Sequence, residues 1–104
     1  MILVPAYDLV LLPGTRLYFK NEYYKELAQK DPEPGDSVIF VLLKQRKERS
    51  NISEEDIYPI GVTGMVEDID AEDNICIQTV SRVTLNQVDM EHNAVTFTER
   101  VDIQ

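Results

Sequence analysis

The sequence predicts a mainly β domain with short helices, an α+β chain of about six strands and one short helix curled into a mixed sheet or small half-open barrel. Three observations lead there. Short runs rich in β-branched and aromatic residues recur along the chain, separated by Pro-Gly, Asp-Pro and Asp/Asn-rich turns. Beyond a single capped turn near Ser53, only Glu22 to Lys30 has helical spacing. Gly61 and Gly64 stand inside a strand-like run, where glycine marks a bulge, a bend or close approach of another backbone.

The chain opens with two apolar runs, Leu3-Val4 and Leu9-Val10-Leu11-Leu12, split by Pro5 and a polar pair and closed by Pro13-Gly14. Pro5 has no amide donor, so the first run can only be a short or edge strand. The second is too apolar for a surface loop, and Pro13-Gly14 turns it toward the next segment. Leu17-Tyr18-Phe19, flanked by Arg16 and Lys20, reads as a strand. Asn21 is placed to cap a helix whose apolar stripe is Tyr23 and Leu27, joined by Tyr24 and Ala28, with Glu22–Lys25 and Glu26–Lys30 at ion-pair spacing. The polar loop Asp31 to Asp36, with its two prolines, ends it.

Val38 to Leu43 is an unbroken apolar run of strand length and is the candidate for the centre of the sheet, covered on both faces. The charged stretch Lys44 to Arg49 reads as a solvated loop, and Ser53 with Asp56 three residues later forms a capping box for a single helical turn. Ile57 to Ile69 is a strand carrying both glycines, suited to coiling round a small barrel. Asp70 to Asn74 turns it into a long alternating strand from Ile75 to Leu85, with Ile75, Ile77, Val83 and Leu85 on one side and Thr79 and Ser81 between. Glu91-His92-Asn93 turns again into a last strand whose Val95, Phe97 and Val101 share a face.

At 104 residues the chain has the size of one domain, residues 1–104, and can bury a core without disulfides or metal. Its 19 acidic and 10 basic residues leave a net charge of −9, a field that repels phosphate backbones and argues against nucleic acid as partner. The single Cys76 makes no internal disulfide, which fits a reducing cytosol. No segment reaches the roughly 20 apolar residues of a bilayer span, and the start lacks the basic region of a signal peptide; a cytoplasmic protein without a membrane partner is the expectation.

Motifs with chemistry are scarce. No G-x-x-x-x-G-K-[ST] phosphate loop occurs, so no nucleotide cofactor is expected. Asp68 and Asp70 imitate the start of a calcium loop, but the sixth position is Asp73 rather than Gly and the twelfth is Thr79 rather than Glu; the cluster reads as a turn and no metal is expected. His92 reads as an exposed turn residue, Cys76 as packing, and no serine sits in a G-x-S-x-G turn, so the segment is expected not to be an enzyme. The distinctive surface is aromatic. Leu17, Tyr18, Phe19, Tyr23 and Tyr24 fall in one strand and helix unit; most of these rings read as core, while the polar tip of tyrosine suits a half-exposed contact with apolar polypeptide.

The order Leu3-x-Pro5, a polar pair, Leu9 to Gly14, a strand and short helix, Val38 to Lys44, Tyr58-x-Ile60-Gly61-Val62 with Ile69, and a long strand ending Ser81-Arg82-Val83-x-Leu85 resembles the N-terminal domain of the ATP-dependent protease Lon (peptidase La). It departs from that family at Tyr18-Phe19-Lys20-Asn21, where a longer apolar stretch ending in Gly is usual, and at Val80-Ser81-Arg82, where a Gly is usual before the Arg. The resemblance implies a PUA-like pseudobarrel that recognises unfolded or tagged polypeptides and helps assemble a hexamer with other Lon subunits. The ATPase and Ser-Lys protease parts would lie beyond Gln104, which makes the chain a truncated fragment of a longer one. A domain of this kind would capture clients weakly and multivalently. Its acidic surface would disfavour anionic ones. A stand-alone scaffold or regulator with no protease attached is the alternative expectation.

Overall fold

The computed structural model describes residues 1–9 and 11–99. Among the described residues, six strands and one α-helix make a mainly β, α+β domain: β1 (Ile2–Ala6), β2 (Arg16–Lys20), α1 (Asn21–Ala28), β3 (Ser37–Leu43), β4 (Ile57–Ile69), β5 (Asn74–Asp89) and β6 (Ala94–Glu99). They form one mixed sheet in the order β1-β3-β4-β5-β2. β1 runs parallel to β3 and every other pair is antiparallel. β6 also pairs with β5, along its Val83–Asp89 half, while β2 takes the Asn74–Gln78 half.

β1 is an edge strand, as Pro5 requires, and Leu3, Val4 and Ala6 are buried. In the apolar run that follows, Leu9, Leu11 and Leu12 are outside any strand: Leu11 is buried and Leu9 packs on the core, but Leu12 is exposed, and Val10 lies outside the described residues. Gly14, with φ +77°, makes the turn expected of Pro13-Gly14, a conformation glycine adopts without a Cβ clash. Buried Thr79 fastens this turn to β5. Its hydroxyl donates to the Leu12 carbonyl at 2.6 Å, its amide donates to the Thr15 carbonyl at 2.8 Å, and the Gly14 amide donates to its carbonyl at 3.1 Å.

The mixed sheet is not closed into a barrel, in keeping with the curled or half-open form that the sequence predicts. β1 and β2 end the strand path without pairing, and α1, entered directly from β2, packs against both of them where closure would have to occur. β3 is buried on both faces as its sequence demands, though β4, one place further in, is the middle of the strand path. Helix α1 also differs in detail. Asn21 does not cap it: its Nδ2 donates to the Asp73 carboxylate at 2.8 Å, because β2 pairing with the start of β5 brings the Asp70–Asn74 turn alongside. The buried stripe is Tyr24 and Ala28, with Leu27 at its margin and Tyr23 outside it. Lys25 and Lys30 pair forward, with Asp31 at 2.9 Å and Asp36 at 3.3 Å, instead of with the helix glutamates.

Two cores lie on opposite faces of the sheet. Val4, Phe40, Val62, Val66, Ile75 and Ile77 belong to the one covered by α1; Leu3, Ile39, Val41, Ile57, Val83 and Val88 belong to the other. Alternate residues of β1 and β3 feed each, which is the period-two rule. β5 crosses between them. The register runs from Gly64–Thr79 to Val62–Arg82, so β5 carries one extra residue opposite Thr63. Such a bulge inverts the alternation. Ile75 and Ile77 therefore face one core and Val83 and Leu85 the other, not a common side as simple alternation predicts. A second bulge between Leu85 and Gln87 keeps Val88 in phase with Val83. Val95 and Phe97 share the second core as expected; Val101 lies outside the described residues.

Asp56 anchors the loop between β3 and β4. As the capping box predicts, the Ser53 amide donates to its Oδ2 at 2.9 Å; the Ser53 hydroxyl also donates to that oxygen, at 3.0 Å, and Lys47 Nζ adds an ion pair at 3.0 Å. The Ser53 amide, then Lys47, hold this carboxyl below the usual carboxylate range. A depressed folded pKa gives stability that is present above the unfolded value of about 4 and is lost as pH falls below it. Urea midpoints should therefore fall more steeply on acidification from pH ~5 for the native chain than for Asp56→Asn. Equal slopes would remove this carboxylate from the acid sensitivity of the fold.

Candidate functional site

The structure separates the five aromatic and apolar residues that the sequence grouped. On β2, Phe19 turns into the core and lies between two rings, with centroids 5.9 Å from Phe40 and 5.9 Å from Tyr23. Leu17, two residues earlier on the same face, is half-buried against that core. Tyr18 points to the opposite face, 69% exposed, beside a small cleft of about 270 Å³ with Arg16, Glu67 and Cys76. There Arg16 Nε pairs with Glu67 at 3.3 Å, and Cys76 Sγ lies 3.8 Å from the same carboxylate.

Tyr24 is 1% exposed and belongs wholly to the core, so it contributes no contact surface. Its hydroxyl finds no partner among the described residues, and burial, helped by the Asp36 charge, pushes its pKa up to about 12. Because the raised pKa favours the neutral phenol, stability is complete below the ordinary tyrosine value near 10 and is lost as pH rises toward about 12. Tyr24→Phe removes an unpaired polar atom while keeping the ring, so its stability should stay within about 1 kcal/mol of native. Absorbance titration should lose the ionisation at about pH 12. A loss of several kcal/mol would mean that the hydroxyl has a partner.

Tyr23 leads to the main concavity. An open groove of about 1610 Å³ runs between α1, the segment after β1 and the loop that follows β3. Tyr7 and Tyr23, 45% and 43% exposed, sit on its walls with half-buried Leu27, Ile52 and Met90. Its volume and mixed lining suit an extended chain; small-molecule pockets enclose roughly 300–1,000 Å³.

Arg49 holds the groove's walls together. Its Nη1 donates to the main-chain carbonyls of Leu3 at 3.2 Å and Leu27 at 2.6 Å, and its Nη2 donates to Asn93 Oδ1 at 2.6 Å. One guanidinium thus ties edge strand β1, the last turn of α1 and the turn before β6. Burial lowers its pKa, yet an arginine remains charged. It also completes the helix end, since the Gln29 amide, with Gln29 in the left-handed region at φ 58°, takes Lys25 O and its side chain takes Glu26 O. Lys44 to Arg49 is therefore not simply a solvated loop: Lys47 and Arg49 turn inward while Arg46 stays exposed.

The remaining chemical candidates have structural employment. Asp70 accepts from the Glu72 and Asn74 amides, both at 2.9 Å, and from Asn74 Nδ2 at 3.2 Å, so its oxygens shape the turn. His92 is exposed in its turn, with Nδ1 2.7 Å from Asp89 Oδ2. Among the described residues no helix is long and apolar enough to cross a membrane. Tyr7, Ile52, Met90 and Arg49 were not singled out from sequence, since they meet only through long-range folding; the pairing of Tyr7 with Asp8 between two apolar runs was the one local sign. Compared with protein-family models and with curated proteins, the chain matches none.

Proposed function

We propose that this chain is a non-catalytic recognition domain that holds unfolded or tagged polypeptides, as a PUA-like N-terminal domain of a cytoplasmic Lon-type ATP-dependent protease would. The observation that carries the reading is the groove in which exposed Tyr7 and Tyr23 stand beside Leu27, Ile52 and Met90. Such rings give large contact area at low entropic cost, and their hydroxyls remain wet. Affinity from one groove is modest; several copies in an assembly with other subunits of the same kind raise it through effective concentration. The ordering from Leu3 to Leu85 that resembles the Lon family supports the assignment to that class.

Titrating the isotopically labelled chain with a reduced, permanently unfolded protein tests this. Shifts should concentrate at Tyr7, Tyr23, Leu27, Ile52 and Met90, and Tyr23→Ala should weaken binding without unfolding the domain. Shifts centred on Tyr18 would move the site to the other face, and none at all would sink the recognition role.

A further inference from the structure

We propose that the groove selects polypeptide segments that combine apolar residues with lysine or arginine, a specificity that rests on the polypeptide-binding reading above. By count its charges nearly balance: Asp8, Glu26, Glu48 and Glu91 against Arg46, Lys47 and Arg49. By availability they do not. Lys47 is committed to the Asp56 carboxylate, and the Arg49 fork is turned onto the carbonyls of Leu3 and Leu27 and onto Asn93. Among the described residues, Arg46 is the one lining cation left to face an incoming chain.

The four carboxylates, in contrast, make no ion pair among the described residues. They also stand on different walls: Asp8 after β1, Glu26 on α1 one turn from Tyr23, Glu48 in the loop after β3, and Glu91 in the turn before β6. A basic side chain entering between the walls meets carboxylates from several directions, and the rings of Tyr7 and Tyr23 offer it π faces. The apolar residues beside it meet Leu27, Ile52 and Met90. An acidic segment meets uncompensated carboxylates within a chain of net charge −9, so like-charge repulsion excludes it.

Short unstructured peptides identical in their apolar and aromatic positions, and carrying Lys, Ser or Glu at the rest, test the proposal by fluorescence anisotropy and by resonance shifts on the whole chain. At low salt the Lys peptide should bind about tenfold more tightly than the Ser peptide. The advantage should shrink toward nothing near ~0.5 M salt, where surface charges are screened. The triple substitution E26Q/E48Q/E91Q should cut the Lys-over-Ser preference to about twofold, with Asp8 remaining, and an undiminished preference would overturn charge selection. Equal binding of Lys and Ser peptides, with shifts in the groove, would overturn charge selection and leave the recognition reading standing. Absence of groove shifts with every peptide would overturn both.

Discussion

Arg49→Ala should cost about 3 kcal/mol of stability, read as a lowered urea midpoint with an unchanged slope. The guanidinium makes three hydrogen bonds, two of them to main-chain carbonyls on different elements, Leu3 on β1 and Leu27 on α1. Charge-assisted bonds contribute roughly 1.5–3 kcal/mol each when intact, but the groove is open and water recovers part of that loss. The estimate therefore sits well below the sum. Arg49→Lys keeps the charge and loses the fork, so it should recover less than half of the difference. Arg46→Ala, three residues away and exposed, is the control and should stay within about 0.5 kcal/mol. If the two alanine variants unfold at the same midpoint, Arg49 is not the brace between these elements.

The second large effect is expected at Gly61. A Cβ there would stand 2.8 Å from the Phe40 carbonyl oxygen and 3.2 Å from a Leu85 methyl, so backbone in β3 or β4 would have to move. Overpacking of this kind typically costs 1–3 kcal/mol, and with main chain as the obstacle Gly61→Ala should fall near the upper end, about 3 kcal/mol. Gly14→Ala provides the contrast. Its Cβ would meet nothing within 4 Å, so only the strain of φ +77° remains, about 1 kcal/mol. Calorimetric midpoints of the two variants compare steric and conformational cost directly, and equal shifts would mean that β4 relaxes away from Phe40.

What could be read from sequence was what local chemistry decides. β3 was legible because six consecutive apolar residues leave no solvent face, and the turns at Gly14 and Asp70–Asn74 because their residues favour those conformations. The glycines of β4 were legible as a bulge, a bend or a close approach, and the structure shows the close approach, to the Phe40 and Gln78 carbonyls. The flip of β5 was not, since the extra residue at Val80–Ser81 carries no glycine and its cause is the register against β4. Nor was the role of Asn21, a good cap by type, which is drawn to Asp73, 52 residues away. The site divided in the same way. Tyr23 was found by its place beside other rings, whereas the groove depends on Arg49 reaching residues 46, 22 and 44 positions distant.

The bulge opposite Thr63 has a further consequence for how the molecule comes apart. Because β5 changes sides there, the same 16-residue strand supplies Ile75 and Ile77 to one core and Val83 and Val88 to the other. Neither half of the domain can open without tearing a ladder that the other half depends on. The two faces are thus welded into one cooperative unit, and the slowest-exchanging amides belong on β5, the strand that both share.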